Sequence, residues 1–357
     1  MRAQAVGFSW TLCTLSTIAG CGVHNESSVP AGLEVTVATS GGLIQDAGRT
    51  TLWGPAAKTL GFVVREESFE NGYQLLRMQS EAGRVSIDAM ELPSFLAARG
   101  FRDGLIGPID YGTVDRTTFA TRDAPPYCIG MLSASWVLGW NTKHFRGPQP
   151  KNWSDFWDVV HFPGRRAAHI GAEVQLEIAL LADGVARDAV YATLSQPGGV
   201  ERAIRKWAEI KPYIDVWWTT GSQLAQLMKD GEVDLAIGWN GRFEQLMAQG
   251  TPMDYTFQDG VLVRECWAVP AASPNRHAAM QLVNAMTRAG PEARFAAMIK
   301  YGPLNEKAFD TGLIPESVAD RLPTNPQNAQ MQLAEDDVWW AINSVRAERA
   351  FDEMRSL

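Results

Sequence analysis

The 357-residue sequence predicts an α/β fold of two lobes joined by crossing strands. Three observations carry that prediction. From Glu34 onward, short apolar strand patterns alternate with helical ones, the βαβα order of a parallel sheet covered by helices. Two longer extended passes, near 127–140 and 261–269, interrupt the alternation and read as the chain crossing between lobes. The composition, 46% hydrophobic and 20% charged, is globular and gives enough apolar surface for one large domain or two ordinary ones. A single large α/β domain is the alternative that chain order leaves open.

The first element is not part of the fold. Arg2 precedes an apolar stretch, 5–20, too short and too rich in Ser and Thr for a membrane span. It ends in Ile18-Ala19-Gly20-Cys21, small residues just before a cysteine, as in bacterial lipoprotein signals. An ordinary signal peptide with an incidental cysteine is the alternative. Cleavage there leaves Cys21 as an acylated first residue, and 22–32 as a Gly-, Ser- and Asn-containing tether. The expected location is the periplasm, or the extracytoplasmic cell envelope, anchored to a membrane by lipid.

The fold then begins. A strand over 34–39 runs into Ser40-Gly41-Gly42, and a helix follows over 46–60. Strands at 62–65 and 85–90 flank a helix at 71–82, and a short helix at 93–99 is closed by Gly100. After the first extended pass and a Pro- and Trp-rich stretch, 148–164, helices are predicted over 173–182 and 200–211. A strand at 215–218, a helix at 223–229, a strand at 233–237 and a helix at 242–249 complete the middle. Beyond the second pass the chain is helical, over 276–288, 291–300 and 332–354. In open sheets of this kind, ligands sit at the carboxyl ends of strands. Those ends are Ser40-Gly41-Gly42, Glu91, Trp218 and Trp239-Asn240-Gly241-Arg242.

Charge and motifs narrow the function. A net charge of −8 argues against nucleic acid or anionic lipid as a general partner. The sequence has no GxSxG, no HExxH and no phosphate-binding GxxxxGK[ST]. Its five histidines show no metal-ligand spacing, so neither a metal nor a cofactor is implied. Of the four cysteines, Cys128 and Cys266 remain after the signal and Cys21 are set aside. They read as two buried thiols, with pairing in an oxidising compartment as the alternative. Most of the thirteen tryptophans belong to an aromatic core, leaving a few to stack on a ligand.

The segment Gly238-Trp-Asn-Gly-Arg-Phe243 concentrates the binding chemistry. A buried strand stops at Trp239, Asn240-Gly241 is read as a turn with Asn240 capping, and a helix begins at once. The free amides of that helix and the guanidinium of Arg242 make a place for a carboxylate. Trp239 offers a flat face to an amine or alkyl chain. A structural salt bridge for Arg242 and core packing for Trp239 are the alternatives.

These segments together resemble a known family. PKNWSDFWDVVHFPG, EIALLADGV, EIKPYIDVWWTTGSQLAQLMKDGEVDLAIGWNGR, KYGPLN and LPTNPQN are similar, in order, to solute-binding proteins of ABC importers, of the spermidine/putrescine-binding type. The resemblance covers nearly all of the chain after the tether. It implies a type II periplasmic-binding fold, with lobes formed by 33–128 plus 264–357 and by 129–263. It implies a small amine or amino-acid ligand in the cleft, membrane permease subunits as partners, and no catalysis. It places Trp239 on ligand methylenes, Glu265 on a ligand ammonium and Tyr301 in the cleft wall. Ser40 stands where the family carries an aromatic residue, which leaves more room and less stacking. Glu173 falls near the family's second-lobe acids but out of register. Arg242 departs from a polyamine site, since an unpaired cation in a desolvated cleft repels one. Arg242 with Glu265 suits a zwitterion such as γ-aminobutyrate, and a polyamine receptor is the alternative. An enzyme on the same fold, or a ligand sensor, is the reading from another class. Ser40, Gly41, Trp218, Trp239, Asn240, Arg242, Glu265 and Tyr301 are the expected ligand-binding residues. Arg264 and Glu265 must point to opposite faces of their strand, with Glu265 expected in the cleft.

Overall fold

A computed structural model describes residues 32–356 of the chain. The expected signal segment, Cys21 and nearly all of the tether lie outside the described residues. Nine strands form one sheet: β1 (Glu34–Thr39), β2 (Val63–Ser68), β3 (Ala89–Pro93), β4 (Ile129–Asn141), β5 (Arg166–His169), β6 (Ile214–Trp218), β7 (Leu235–Trp239), β8 (Met253–Ala268) and β9 (Leu333–Ala334). The main path runs β2-β1-β3-β8-β4-β7-β5-β6, and β9 pairs with β8. Each end is a parallel trio whose first strand lies in the middle: β2-β1-β3 on one side, β6-β5-β7 on the other. The trios are joined by β4 and β8, which run antiparallel to each other and to the trio strand beside each.

The long strands are the extended passes read from sequence. β4 is apolar and almost wholly buried along its length, as a strand covered on both faces must be. β8 begins at Met253, well before the expected 261, because Met253 to Thr256 already pair with Leu138 to Asn141 at the end of β4. Helices cover the trios. Beneath β1 and β3, Ala38, Met90 and Leu92 pack with Leu76, Ala97 and Ile106 from the neighbouring helices and loop.

Some expectations moved. The helix predicted over 46–60 is two helices, Gly42–Thr51 and Trp53–Leu60, broken at Leu52. The Trp53 ring lies across Gly48, where a Cβ would fall 1.9 Å from it, so the break folds the indole back onto the first helix. β5 was not anticipated: only four residues long, it shows no periodicity to read. Cys128 and Cys266 are not free thiols but a disulfide, with Cα atoms 5.8 Å apart. It ties the entrance of β4 to β8, one residue beyond Glu265. No helix among the described residues is long and apolar enough to cross a membrane.

Candidate ligand-binding cleft

A cleft of about 580 Å³ opens at the strand ends, with walls from both trios and a floor from β4 and β8. The β1–β3 side contributes Ser40, Gly41 and Glu91. Gly41 and Gly42 have φ of +80° and +54°, so the chain turns through left-handed backbone into the helix Gly42–Thr51. The Ser40 amide donates to Glu91 Oε2 at 2.8 Å, and its hydroxyl adds contacts at 3.0 and 3.2 Å. Ser40 therefore holds the buried Glu91 carboxylate. Burial pushes that carboxyl above its ordinary value, against the Ser40 bonds that pull it down.

β8 delivers the second acid. Glu265 lines the cleft, and Arg264 lies on the opposite face, buried and paired with Asp337 and, at 3.7 Å, with Asp123. Strand alternation separates the two charges, as expected. One oxygen of Glu265 is buried without a donor. Burial raises this carboxyl well above the ordinary range, and the charges of Glu91 and Glu173 raise it further.

Glu173 is the third acid in the cleft. The sequence reading set it aside as out of register. Val174, with φ of +67°, turns the chain just before the helix Gln175–Ala182. Register from the helix start misses such a turn. Burial first, then the charges of Glu348, Glu177 and Asp337, push the Glu173 carboxyl up to about 8.

The opposite wall carries the cation. The segment Trp239-Asn240-Gly241-Arg242 is not a turn: Asn240 and Gly241 are already the first residues of the helix Asn240–Ala248. Arg242, half-buried, lines the cleft with only Gln245 Oε1 near it, at 3.5 Å. Among the described residues no acid pairs with it, since Glu244 is taken by Arg321 and by the Tyr255 hydroxyl. Gly221 makes room for the group: a Cβ there would lie 2.8 Å from Arg242 Nε and 3.2 Å from the Trp239 ring. Tyr301 packs on Gly241, where a Cβ would fall 2.4 Å from its ring. Burial raises the Tyr301 phenol to about 12, so it stays a neutral donor.

Two expected contacts belong to the support instead. Trp218 is fully buried, and its indole N–H donates to the Ile237 carbonyl. It stands behind Trp239 with ring centroids 5.1 Å apart, while Trp136 packs 4.6 Å from Trp239. Asn240 is also fully buried and does not cap its helix. Its Oδ1 accepts from the Ser135 amide and its Nδ2 donates to the Lys300 carbonyl, tying β4 to the segment before Tyr301. The cleft thus combines the Trp239 face, the Arg242 guanidinium and the carboxyls of Glu91, Glu173 and Glu265, with the exposed Glu70 also on its lining.

Known proteins are similar to this chain in sequence and fold. Residues 59–343 match the family model described as bacterial extracellular solute-binding protein. A gamma-aminobutyric acid-binding protein of Pseudomonas aeruginosa is 30% identical over 322 residues, covering 89% of this chain and 90% of its own. The crystal structure of an ABC transporter substrate-binding protein from Bradyrhizobium japonicum is 34% identical with a TM-score of 0.86, over 90% of this chain and 99% of its own. The periplasmic binding protein MotA from A. tumefaciens B6, solved in complex with glucopine, is 32% identical with a TM-score of 0.84, over 90% and 100%. The paired trios and crossing strands are the type II periplasmic-binding fold. The chain belongs to the bacterial extracellular solute-binding proteins: it is the substrate-binding component of an ABC importer, a receptor that works with permease subunits and not an enzyme.

Proposed function

We propose that this receptor takes a small zwitterion of the ω-amino-acid type, with γ-aminobutyrate as the reference ligand. The carboxylate sits on Arg242 and the free amides at the start of its helix. The ammonium sits on Glu265, with Glu91 and Glu173 within reach, and the methylenes lie against Trp239 and Tyr301. The observation that carries this reading is an unpaired guanidinium and an undonated buried carboxylate oxygen lining one cleft. A bound zwitterion supplies both missing partners. The P. aeruginosa relative, named for γ-aminobutyric acid, supports the same choice.

Closure follows from where these groups stand. With lobes at 33–128 plus 264–357 and at 129–263, Glu91, Glu265 and Tyr301 lie on one lobe. Arg242, Trp239 and Glu173 lie on the other. A ligand held at both ends stabilises only the closed form. The three carboxylates also favour a second reading, a polyamine of the putrescine or spermidine kind, with Arg242 swung aside. A thermal-shift screen separates the two. The panel is γ-aminobutyrate, longer ω-amino acids, simple carboxylates, putrescine and spermidine. ω-Amino acids are expected to raise the melting temperature most; stabilisation by diamines alone overturns the zwitterion.

The chain is also proposed to be lipid-anchored through Cys21, on the strength of Ile18-Ala19-Gly20-Cys21 ending an apolar run. Mass spectrometry of the membrane-fraction protein is expected to begin at an acylated Cys21, and Cys21→Ala to release it. A soluble wild-type chain cleaved elsewhere contradicts the anchor.

A further inference from the structure

The last helix, Asp337–Ser356, does not line the cleft. It spans both sides of the molecule. On one, Trp340 packs on Phe95 and the Ala341 carbonyl accepts from Arg102. On the other, Phe351 packs on Trp207, Arg346 pairs with Glu201, and the Met354 carbonyl accepts from Lys211. Midway, Glu348 points at the loop carrying Glu173. Its Oε2 accepts from the Ala172 amide at 3.0 Å, one residue before Glu173. The loop then passes through Val174, a β-branched residue held at φ of +67°. Such a residue keeps left-handed backbone only where its surroundings impose it.

We propose that Glu348 is the positioning residue for Glu173: by accepting from the Ala172 amide, it fixes the loop that presents this acid to the cleft. This rests on the reading above only in giving Glu173 an ammonium to meet. The clamp uses the carboxylate in two ways. As an acceptor it holds the loop against the strain at Val174. As a charge it opposes ionisation of Glu173, first among the charges that do so. The other groups facing Glu173 are Glu177 on the helix that follows it, Asp337 at the start of the last helix, Glu335 just before that helix, and Glu265 on β8. Arg242 stands on the opposite wall. Among the charges on Glu173, Glu348 comes first, ahead of Glu177 and Asp337. Burial raises the Glu348 carboxyl too, against the Ala172 bond that lowers it.

Three variants of the full chain separate clamp from charge: Glu348→Gln, Glu348→Ala and Glu173→Gln. Amide exchange needs no ligand. Glu348→Ala is expected to speed exchange at Ala172 by about tenfold or more, while Glu348→Gln, still an acceptor, keeps most of the protection. Carbon NMR of the Glu173 carboxyl, assigned with Glu173→Gln, is expected to show its titration midpoint falling in Glu348→Gln with the loop intact. A helix that only packs would move neither signal selectively. Unchanged exchange in Glu348→Ala together with an unmoved midpoint in Glu348→Gln overturns the proposal. Calorimetry with γ-aminobutyrate reports separately. If it does not bind wild type but the NMR changes are present, the clamp stands and the zwitterion reading falls.

Discussion

Gly241 shows how one missing side chain shapes the site. Its backbone is ordinary helix, so conformational freedom is not its use. It lets the Tyr301 ring lie against the first turn that carries Arg242. Gly241→Ala is expected to push Tyr301 outward and weaken γ-aminobutyrate binding by about tenfold or more, with little change in melting temperature, since Ala suits a helix better than Gly. A calorimetric titration beside a melting curve checks both halves. Arg242 was legible in the sequence as a charge at a strand end, and Glu265 through the family resemblance, with strand alternation turning Arg264 the other way. Glu91 was legible only as a strand end, because nothing in the sequence says that Ser40 reaches across to hold it. Trp218 and Asn240 were misread for a common reason: a residue at a strand end can face the ligand or the layer behind it, and sequence order does not distinguish them.

That layer behind the cleft is an element-scale device. Trp136 on β4, Trp218 on β6, Trp239 on β7 and His169 on β5 pack as one aromatic block. Burial depresses the His169 imidazole to about 4, so the block carries no charge near neutral pH. Its purpose is rigidity at Trp239. Trp218→Ala is expected to cost about 3–5 kcal/mol of stability, as large aromatic truncations in cores do. It is also expected to lower ligand affinity, although Trp218 does not line the cleft. Trp218→Phe should restore most of the affinity, and equal affinity in all three proteins would show that Trp239 needs no such support. Element existence was readable wherever periodicity ran long, as in β4 and the last helix. It failed for β5 and at Leu52, where short length and a single folded-back indole decided the outcome.

On the scale of the molecule, buried acids and the disulfide set how conditions act. Glu173 and Glu177 are pushed up to about 8 and about 7 from an ordinary 4.5. The folded protein therefore holds protons that the unfolded chain has lost. Their contribution to stability is fully present below about pH 4.5 and is lost as pH rises through about 8. Glu173→Gln is expected to flatten that decline, measured as melting temperature between about pH 5 and 8. A ligand ammonium favours the ionised acids, so binding should release protons, seen as a calorimetric heat that changes with buffer ionisation enthalpy. The disulfide spans 138 residues, and the chain-entropy model credits such a loop with about 5 kcal/mol as an upper figure. Reduction is expected to lower the unfolding midpoint without changing ligand preference. Pairing was left open by the sequence because it depends on β4 and β8 lying side by side, a contact between segments far apart in the chain.

The guanidinium of Arg242 carries the central claim, and one titration tests it most directly. Arg242→Ala, measured by calorimetry at one salt concentration, is expected to lose γ-aminobutyrate affinity by at least about thirtyfold while putrescine binding is unchanged or tighter. Equal losses for both ligands would contradict a zwitterion held between Arg242 and the acids.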